Sequence, residues 1–185
     1  MNKNITSKEQ ILNISRELIK RKGFNSINIR TIAESCNIAI GSIYNYFNSK
    51  EELTISIIGS IWLDIFHPSN ICLQCDSFIE AIDIIFKSIE KGNKEYPNFF
   101  LMHSTILFGK NKTKGISMMN NIKAHIREGL YKNLMNDKNV RKDAFNESFT
   151  ADKFIDIIFS FIVSAMMKED YDSSVIKEII KRSIY

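Results

Sequence analysis

Structure breakers are scarce in this 185-residue chain, which has two prolines and seven glycines. Their rarity leaves long uninterrupted periodic stretches and favours an α-rich fold. Cysteines number three, an odd count, and the chain opens with a polar stretch, Met1 to Ser7, without an apolar run behind a basic start. A signal peptide is therefore not expected, and a reducing, cytoplasmic location fits the cysteine count. Long hydrophobic runs are missing too. The most apolar segment, Phe154 to Met167, is interrupted by Asp156, Ser160 and Ser164. It is too short and too polar to span a bilayer, which takes roughly 20 residues, so no membrane partner is expected. No glycine-rich phosphate loop, Ser-His-Asp set, paired carboxylates or Glu-x-x-His pair stands out. The sequence thus offers no catalytic site, and neither an enzyme nor a cofactor is expected.

What is present is a core and an uneven charge. Apolar residues make up 44% of the chain, enough to set wholesale disorder aside. The length suits one generous domain or two small ones. Residues 1–50 hold eight Lys/Arg against three acids, a net of +5; the remaining residues bring the whole chain to +4, a net of −1. A basic N-terminal end is what a phosphate-binding module requires, although a Lys-rich solvated surface has the same composition.

The periodicity is helical throughout. Ser7 and Gln10 have the spacing of a capping box and open a helix to about Lys22, with Ile11, Leu12, Ile14, Leu18 and Ile19 as its stripe. Lys20, Arg21 and Lys22 complement its negative end, and Gly23 stops it. Asn28 caps a short helix to about Ser35, and Asn37 suits a left-handed turn. A third helix is predicted from about Ile40 to Asn48. Ser49 and Glu52 open a fourth, to about Phe66. Ser77 and Glu80 open one reaching about Lys91, and Pro97 one to about Gly109. Further helices cover about Lys114 to Met135, Thr150 to Glu169, and Ser174 to near the end, after a polar connector at Asn136 to Asn146. That is about nine helices and no strand candidate, an all-α chain.

The stretch from Asn28 to Leu53 carries the functional signal. It reads as two short helices joined by a tight turn. The second packs Ile43 and Phe47 on one face and shows Gly41, Ser42, Tyr44, Asn45 and Asn48 on the other. A face without bulky apolar groups or acids, and rich in hydrogen-bonding groups, suits the major groove. Gly41 permits close approach. Ser42 and Asn45 have the reach for base edges, and the Tyr44 and Tyr46 hydroxyls for phosphates. Lys50 stands in the first turn of the next helix, where free N–H groups and a cation can hold a phosphate together. For Tyr46, part of the ring is expected to pack inward.

Residues 9 to 53 resemble, without a gap, the DNA-binding region of the tetracycline-repressor-like (TetR) family of transcriptional regulators. The resemblance rests on Ile11-Leu12, Leu18, Gly23-Phe24, Ile29-Arg30, Ile32-Ala33, Ile38, Gly41, Ile43-Tyr44, Tyr46-Phe47 and Lys50-Glu51-Glu52-Leu53. The Tyr-x-Tyr-Phe followed by Lys-Glu-x-Leu is its most specific part. About a quarter of the chain is covered. The chain departs from the family pattern at Asn37, where Gly is usual, and at Ala39, where Ser or Thr is usual. Ala39 cannot cap the recognition helix, a local cost of about 1 kcal/mol. Ile40 replaces a basic or polar residue; it either packs partly into the helical core or meets a thymine methyl.

The resemblance implies a three-helix helix-turn-helix domain at residues 1–50 and an effector-binding and dimerisation domain at residues 51–185. It implies a ligand-responsive regulator, usually a repressor, bound as a homodimer to a pseudo-palindromic double-stranded DNA operator and released by a small-molecule effector. The candidate DNA contacts are Arg30, Thr31, Ile40, Gly41, Ser42, Tyr44, Asn45, Tyr46, Asn48 and Lys50. Candidate effector contacts, from the Met- and aromatic-rich second half, are Trp62, Phe66, Met102, His103, Ile106, Met119, Ile122, Ile126, Phe159 and Val163. The departures at Ala39 and Ile40 keep open an alternative, a helical interaction protein with weakened DNA binding.

Two further patterns complete the reading. Cys72 and Cys75 form a C-x-x-C with His67 nearby, but a zinc site wants four ligands, so no metal is assigned; a thiol sensor and two incidental cysteines are both compatible with the spacing. The helix from Phe154 to Met167 is apolar nearly all round, so it must be covered on two sides. Ser160 and Ser164, four apart, are small enough to let another helix come close. With the final helix it predicts a four-helix dimer bundle through Phe154, Ile158, Phe161, Ile162, Ser164, Val175, Ile176, Ile179 and Ile180.

Overall fold

The computed structural model describes residues 7–66, 75–101 and 112–185. Among the described residues it contains eight α-helices, the first residues of another at 99–101, one 3-10 turn and no strand. The helices are α1 (Lys8–Lys22), α2 (Ile29–Cys36), α3 (Ile40–Ile43), α4 (Lys50–Ile65), α5 (Phe78–Glu95), α6 (Lys112–Asn136), α7 (Ala151–Lys168) and α8 (Ser174–Ile184), with the 3-10 turn at Phe24–Ser26.

The helix ends follow local chemistry. Ser7 Oγ accepts the Gln10 amide at 3.2 Å, and α1 stops at Gly23, whose φ of 77° is cheap only without a Cβ. Asn28 Oδ1 accepts the amides of Arg30 and Thr31 at 3.0 Å, and Thr31 Oγ1 accepts the Asn28 amide at 3.2 Å, closing a reciprocal cap. Asn37 ends α2 in the left-handed region, at φ 53°. Thr150 caps α7, which ends at a left-handed Glu169.

Two elements differ from expectation. The recognition segment has one α-helical turn, Ile40–Ile43. It continues through i→i+3 bonds: Tyr44 to Gly41 at 3.2 Å, Asn45 to Ser42 at 3.3 Å and Tyr46 to Ile43 at 3.0 Å. With an uncapped start at Ala39 and a new helix at Lys50, the segment finishes in the tighter form. Helix α5 runs on to Glu95, past Gly92, where a Cβ would meet the Ile65 side chain at 2.8 Å; the glycine serves close packing. The helix expected after Pro97 is helical at residues 99–101, and its continuation lies outside the described residues.

By compactness, residues 1–64 with 93–119 form one unit and residues 65–92 with 120–185 another, the division falling within α4, α5 and α6. In the first, Ile11, Leu18, Ile19, Ile32, Ile43, Phe47 and Leu53 are buried. Trp62 packs on Phe99 and Phe100 at ring-centroid distances of 5.8 and 5.6 Å. A charged clamp fastens the end of α1. Lys20 Nζ lies 3.0 Å from Glu95 and 3.6 Å from Asp64, while the Tyr96 hydroxyl donates to Asp64 at 2.7 Å. Burial would lower the Lys20 pKa, but its bond to Glu95 and the neighbouring Tyr96 and Asp64 hold it well above its ordinary range.

In the second unit, Phe78, Ile82, Ile85, Leu130, Leu134, Phe154, Ile158, Ile162, Ile176 and Ile180 are buried. Asp137 is its polar anchor. One carboxylate oxygen accepts the Phe78 amide, at the start of α5, at 2.8 Å, and also the Tyr185 hydroxyl; the other accepts the Asn139 amide at 2.9 Å. Asp83 holds α8 to α5 through Lys177 at 2.7 Å and Ser173 Oγ at 2.8 Å.

Burial alone would push the Asp137 carboxyl up, but the bonds from Tyr185, Phe78 and Asn139 outweigh it and hold the group below the usual carboxylate range. A depressed folded pKa adds stability that is complete above the unfolded value, near 4, and is lost as pH falls through the folded value. Urea titrations from pH 7 to pH 3 should therefore show wild-type stability falling below about pH 4. Asp137→Asn should lose about 1–3 kcal/mol at pH 7 and show a shallower acid slope. Equal slopes would contradict this.

Candidate nucleic-acid interface

The first helices set the site by packing. Helix α2 packs on both α1 and α3. Ile32, Ala33 and Cys36 of α2 are buried, as are Ile43 and Phe47, four residues apart on one side of the recognition segment. Burial pushes the Cys36 thiol up to about 11, so it is a packing group rather than a thiolate. The Lys8 ammonium lies 4.7 Å from the Phe47 ring centroid and 3.4 Å from the Glu52 carboxylate.

With Ile43 and Phe47 inward, the opposite side faces solvent. Ile40 is 39% exposed and Tyr44 48%. Gly41, Asn45 and Asn48 are exposed, and Ser42 and Tyr46 are half-buried. A Cβ built on Gly41 would have no atom within 4 Å, so the backbone there stands open. From Asn37 to Ser49 no residue is charged. Cations flank this strip: Arg30 in the first turn of α2 and Lys50 in the first turn of α4, both exposed. The half-buried Thr31 is engaged in the Asn28 cap, where its hydroxyl also donates to the Asn28 carbonyl at 2.9 Å.

One relation was not legible beforehand. The Asn48 amide and its side-chain Nδ2 both donate to Glu52 Oε2, at 3.0 and 2.8 Å. Glu52 is the acid of the capping box, and Ser49 Oγ accepts its amide at 3.1 Å. Hydrogen bonds from the Asn48 side chain and backbone hold the Glu52 carboxyl below its ordinary range. Asn48 is thus tied back, whereas Asn45 is presented outward. The Ser49–Glu52 spacing was the available signal.

The described effector candidates belong to both compact units. In the first unit Trp62 is buried and Met119 half-buried. In the second, Phe66 and Ile126 are buried, Ile122 and Phe159 half-buried, and Val163 exposed. Met102, His103 and Ile106 lie outside the described residues, as do His67 and Cys72, so the C-x-x-C has only Cys75 within them. Among the described residues no group of three or more His, Cys, Asp or Glu could hold a metal.

The interface candidates divide by burial. Phe154, Ile158, Ile162, Ile176 and Ile180 are buried in their own chain, and half-buried Phe161 packs on Phe86 at 6.3 Å. Ser164, Val175 and Ile179 are exposed. Exposed apolar groups absent from the expected set are Ile157, at 56%, and Met167, at 47%. With Ser160 and Ser164 they fall at spacings of three, four and three along α7, a single seam. The serine pair was the sequence signal for it.

Comparison with known proteins agrees with this architecture. The sequence profile of bacterial regulatory proteins of the tetR family matches residues 11–57. The HTH-type transcriptional regulator UidR of Escherichia coli K12 is 40% identical over 52 residues, 28% of this chain and 26% of its own. The HTH-type transcriptional repressor KstR of Mycolicibacterium smegmatis is 31% identical over 52 residues, again 28% of this chain and 26% of its own. The similarity thus spans about a quarter of these relatives' length. Reduced NemR from E. coli has the same fold at a TM-score of 0.66 and 14% identity, covering 96% of this chain and 97% of that one. The N-terminal helices thus match the tetR-family profile of bacterial regulatory proteins over residues 11–57, and the all-helical architecture is similar to that of NemR.

Proposed function

We propose that this protein is a ligand-responsive transcriptional regulator, a repressor in sign, that binds a pseudo-palindromic operator as a homodimer and releases it when a small-molecule effector binds. The observation that carries the reading is the uncharged, hydrogen-bonding strip at residues 40–48, buried behind and flanked by Arg30 and Lys50. Phosphates meet the flanking cations and the Tyr44 hydroxyl, and base edges meet Gly41, Ser42 and Asn45. Division of labour runs at residue 50, DNA before it and effector and dimer after it, and is distinct from the compact units. The protein works as a regulator rather than an enzyme, as its similar relatives do, and in the cytoplasm, where DNA is. Among the described residues no helix is long and apolar enough to cross a membrane.

The dimer partner covers the exposed seam of α7, Ile157 to Met167, together with Val175 and Ile179 of α8, which are 59% and 45% exposed. The twofold of that bundle supplies the symmetry of a palindromic site. Effector and DNA oppose each other through a coupling of about 1–3 kcal/mol. Selection on random duplexes at moderate salt tests the whole reading. It should enrich a pseudo-palindrome with half-sites about one helical turn apart or a little more. Enrichment of no motif would refute it.

Variants separate the parts. Lys50→Ala should weaken binding to all sequences alike and lower the salt slope by about one unit, with thermal stability unchanged. Gly41→Ala should leave the protein as stable or up to about 1 kcal/mol more so. It should nevertheless cost about 1–3 kcal/mol in operator affinity, because the added methyl holds the backbone off the groove. Wild type should sediment at twice its 21.4 kDa chain mass, and Val175→Asp with Ile179→Asp should sediment as a folded monomer. A monomeric wild type at micromolar concentration would remove the dimer and with it the symmetry argument.

A further inference from the structure

Resting on the reading that residues 40–48 enter the major groove, the composition of that strip narrows the kind of DNA it takes. Guanine is read in the major groove chiefly by Arg or Lys, bidentate to O6 and N7, and cytosine by acids accepting from N4. The strip holds neither, since residues 37–49 are uncharged. The nearest cations along the sequence, Arg30 and Lys50, stand in the first turns of α2 and α4, and Lys8 of α1 is engaged by Glu52 at 3.4 Å. What the strip does present is an apolar group and an amide. Ile40 begins α3 with 39% of its surface in solvent, although Ile43, three residues on, is fully buried. The exposed backbone at Gly41 has open space where a Cβ would stand, so the short Ile40 and Ser42 side chains can come close to the groove floor. Of the two amides on the exposed side, Asn48 is tied to Glu52 at 2.8 Å, while Asn45 is presented outward. An Asn amide matches adenine N6 and N7, and a branched apolar side chain matches the thymine methyl.

We propose that the half-site is A·T-rich and is read through thymine methyls and adenine edges rather than through guanine, with Ile40 as the residue that senses the methyl and Asn45 as the one that reads adenine. A·T-rich duplex is thus the nucleic-acid class of this site.

The test uses the full chain and the duplex enriched by selection. Replacing the half-site thymines with deoxyuridine removes the methyl and keeps the base pairing. Wild type should then bind about fourfold more weakly for each contacted methyl, the value of one buried carbon. Uridines outside the half-sites should change nothing. Ile40→Ala should bind the thymine duplex more weakly and no longer distinguish it from the uridine duplex. Asn45→Ala should lose its preference at an adenine while keeping the methyl effect. A half-site led by G·C pairs, or equal wild-type affinity for the thymine and uridine duplexes, would overturn the proposal and leave the regulator reading standing. If no duplex is preferred over another at any salt, the regulator reading itself fails, and this inference with it.

Discussion

Ile43 and Phe47 are both almost wholly out of water, and their burial decides which side of the 40–48 segment is left to solvent. Each contributes about 1.5–3 kcal/mol of transfer free energy, far more than a single hydrogen bond at the surface. The segment needs that hold. It has one α-helical turn, no side-chain cap at Ala39, and a series of i→i+3 bonds. A piece this short has no helical stability of its own. It is a shaped surface because α1 and α2 provide a place for two of its side chains, and Asn37 supplies the left-handed turn that brings it there.

Polar order on the exposed side follows from the same anchor. Once Phe47 is inside, Asn48 and Ser49 lie at the mouth of α4, where Glu52 gathers the Asn48 amide and side chain. Glu52 is thereby occupied, by Asn48 and by Lys8 at 3.4 Å. Its negative charge is kept on the α4 side, and the strip between Arg30 and Lys50 stays neutral. Neutral centre and cationic flanks are the separation of tasks that base contact and phosphate contact require.

Elsewhere the structure keeps charges where partners are dense. Asp137 gathers a helix-start amide, a tyrosine hydroxyl and a loop amide, and Asp83 a lysine and a serine. Lys20 stands among Glu95, Asp64 and the Tyr96 ring, with its centroid 5.0 Å away. Such groups fix geometry more than they add net stability, because desolvation offsets much of the attraction. In each compact unit they join segments distant in sequence: α1 to residues 64, 95 and 96 in one, α5 to the stretch after α6 and to α8 in the other.

Periodicity, caps and stops were local, and so the sequence by itself determined nearly every helix, the all-α class, and the pairing of Ile43 with Phe47 that defines the recognition segment. Ser7, Asn28, Asn37, Ser49 and Thr150 act within a few residues of themselves, so their spacing was enough to place helix ends. Tertiary structure alone decided what depends on neighbours from far along the chain. Helix α5 runs past its expected end near Lys91, with Gly92 in close contact with Ile65. Asn48, on the exposed side of the recognition segment, is held by Glu52. The α7 helix is apolar nearly all round, and only Ser160 and Ser164 marked a side for another helix. Packing in the second unit took Phe154, Ile158 and Ile162, leaving Ile157, Ser164 and Met167 outside. A hydrophobic stripe records that a residue is to be buried; only the assembled neighbours determine by what.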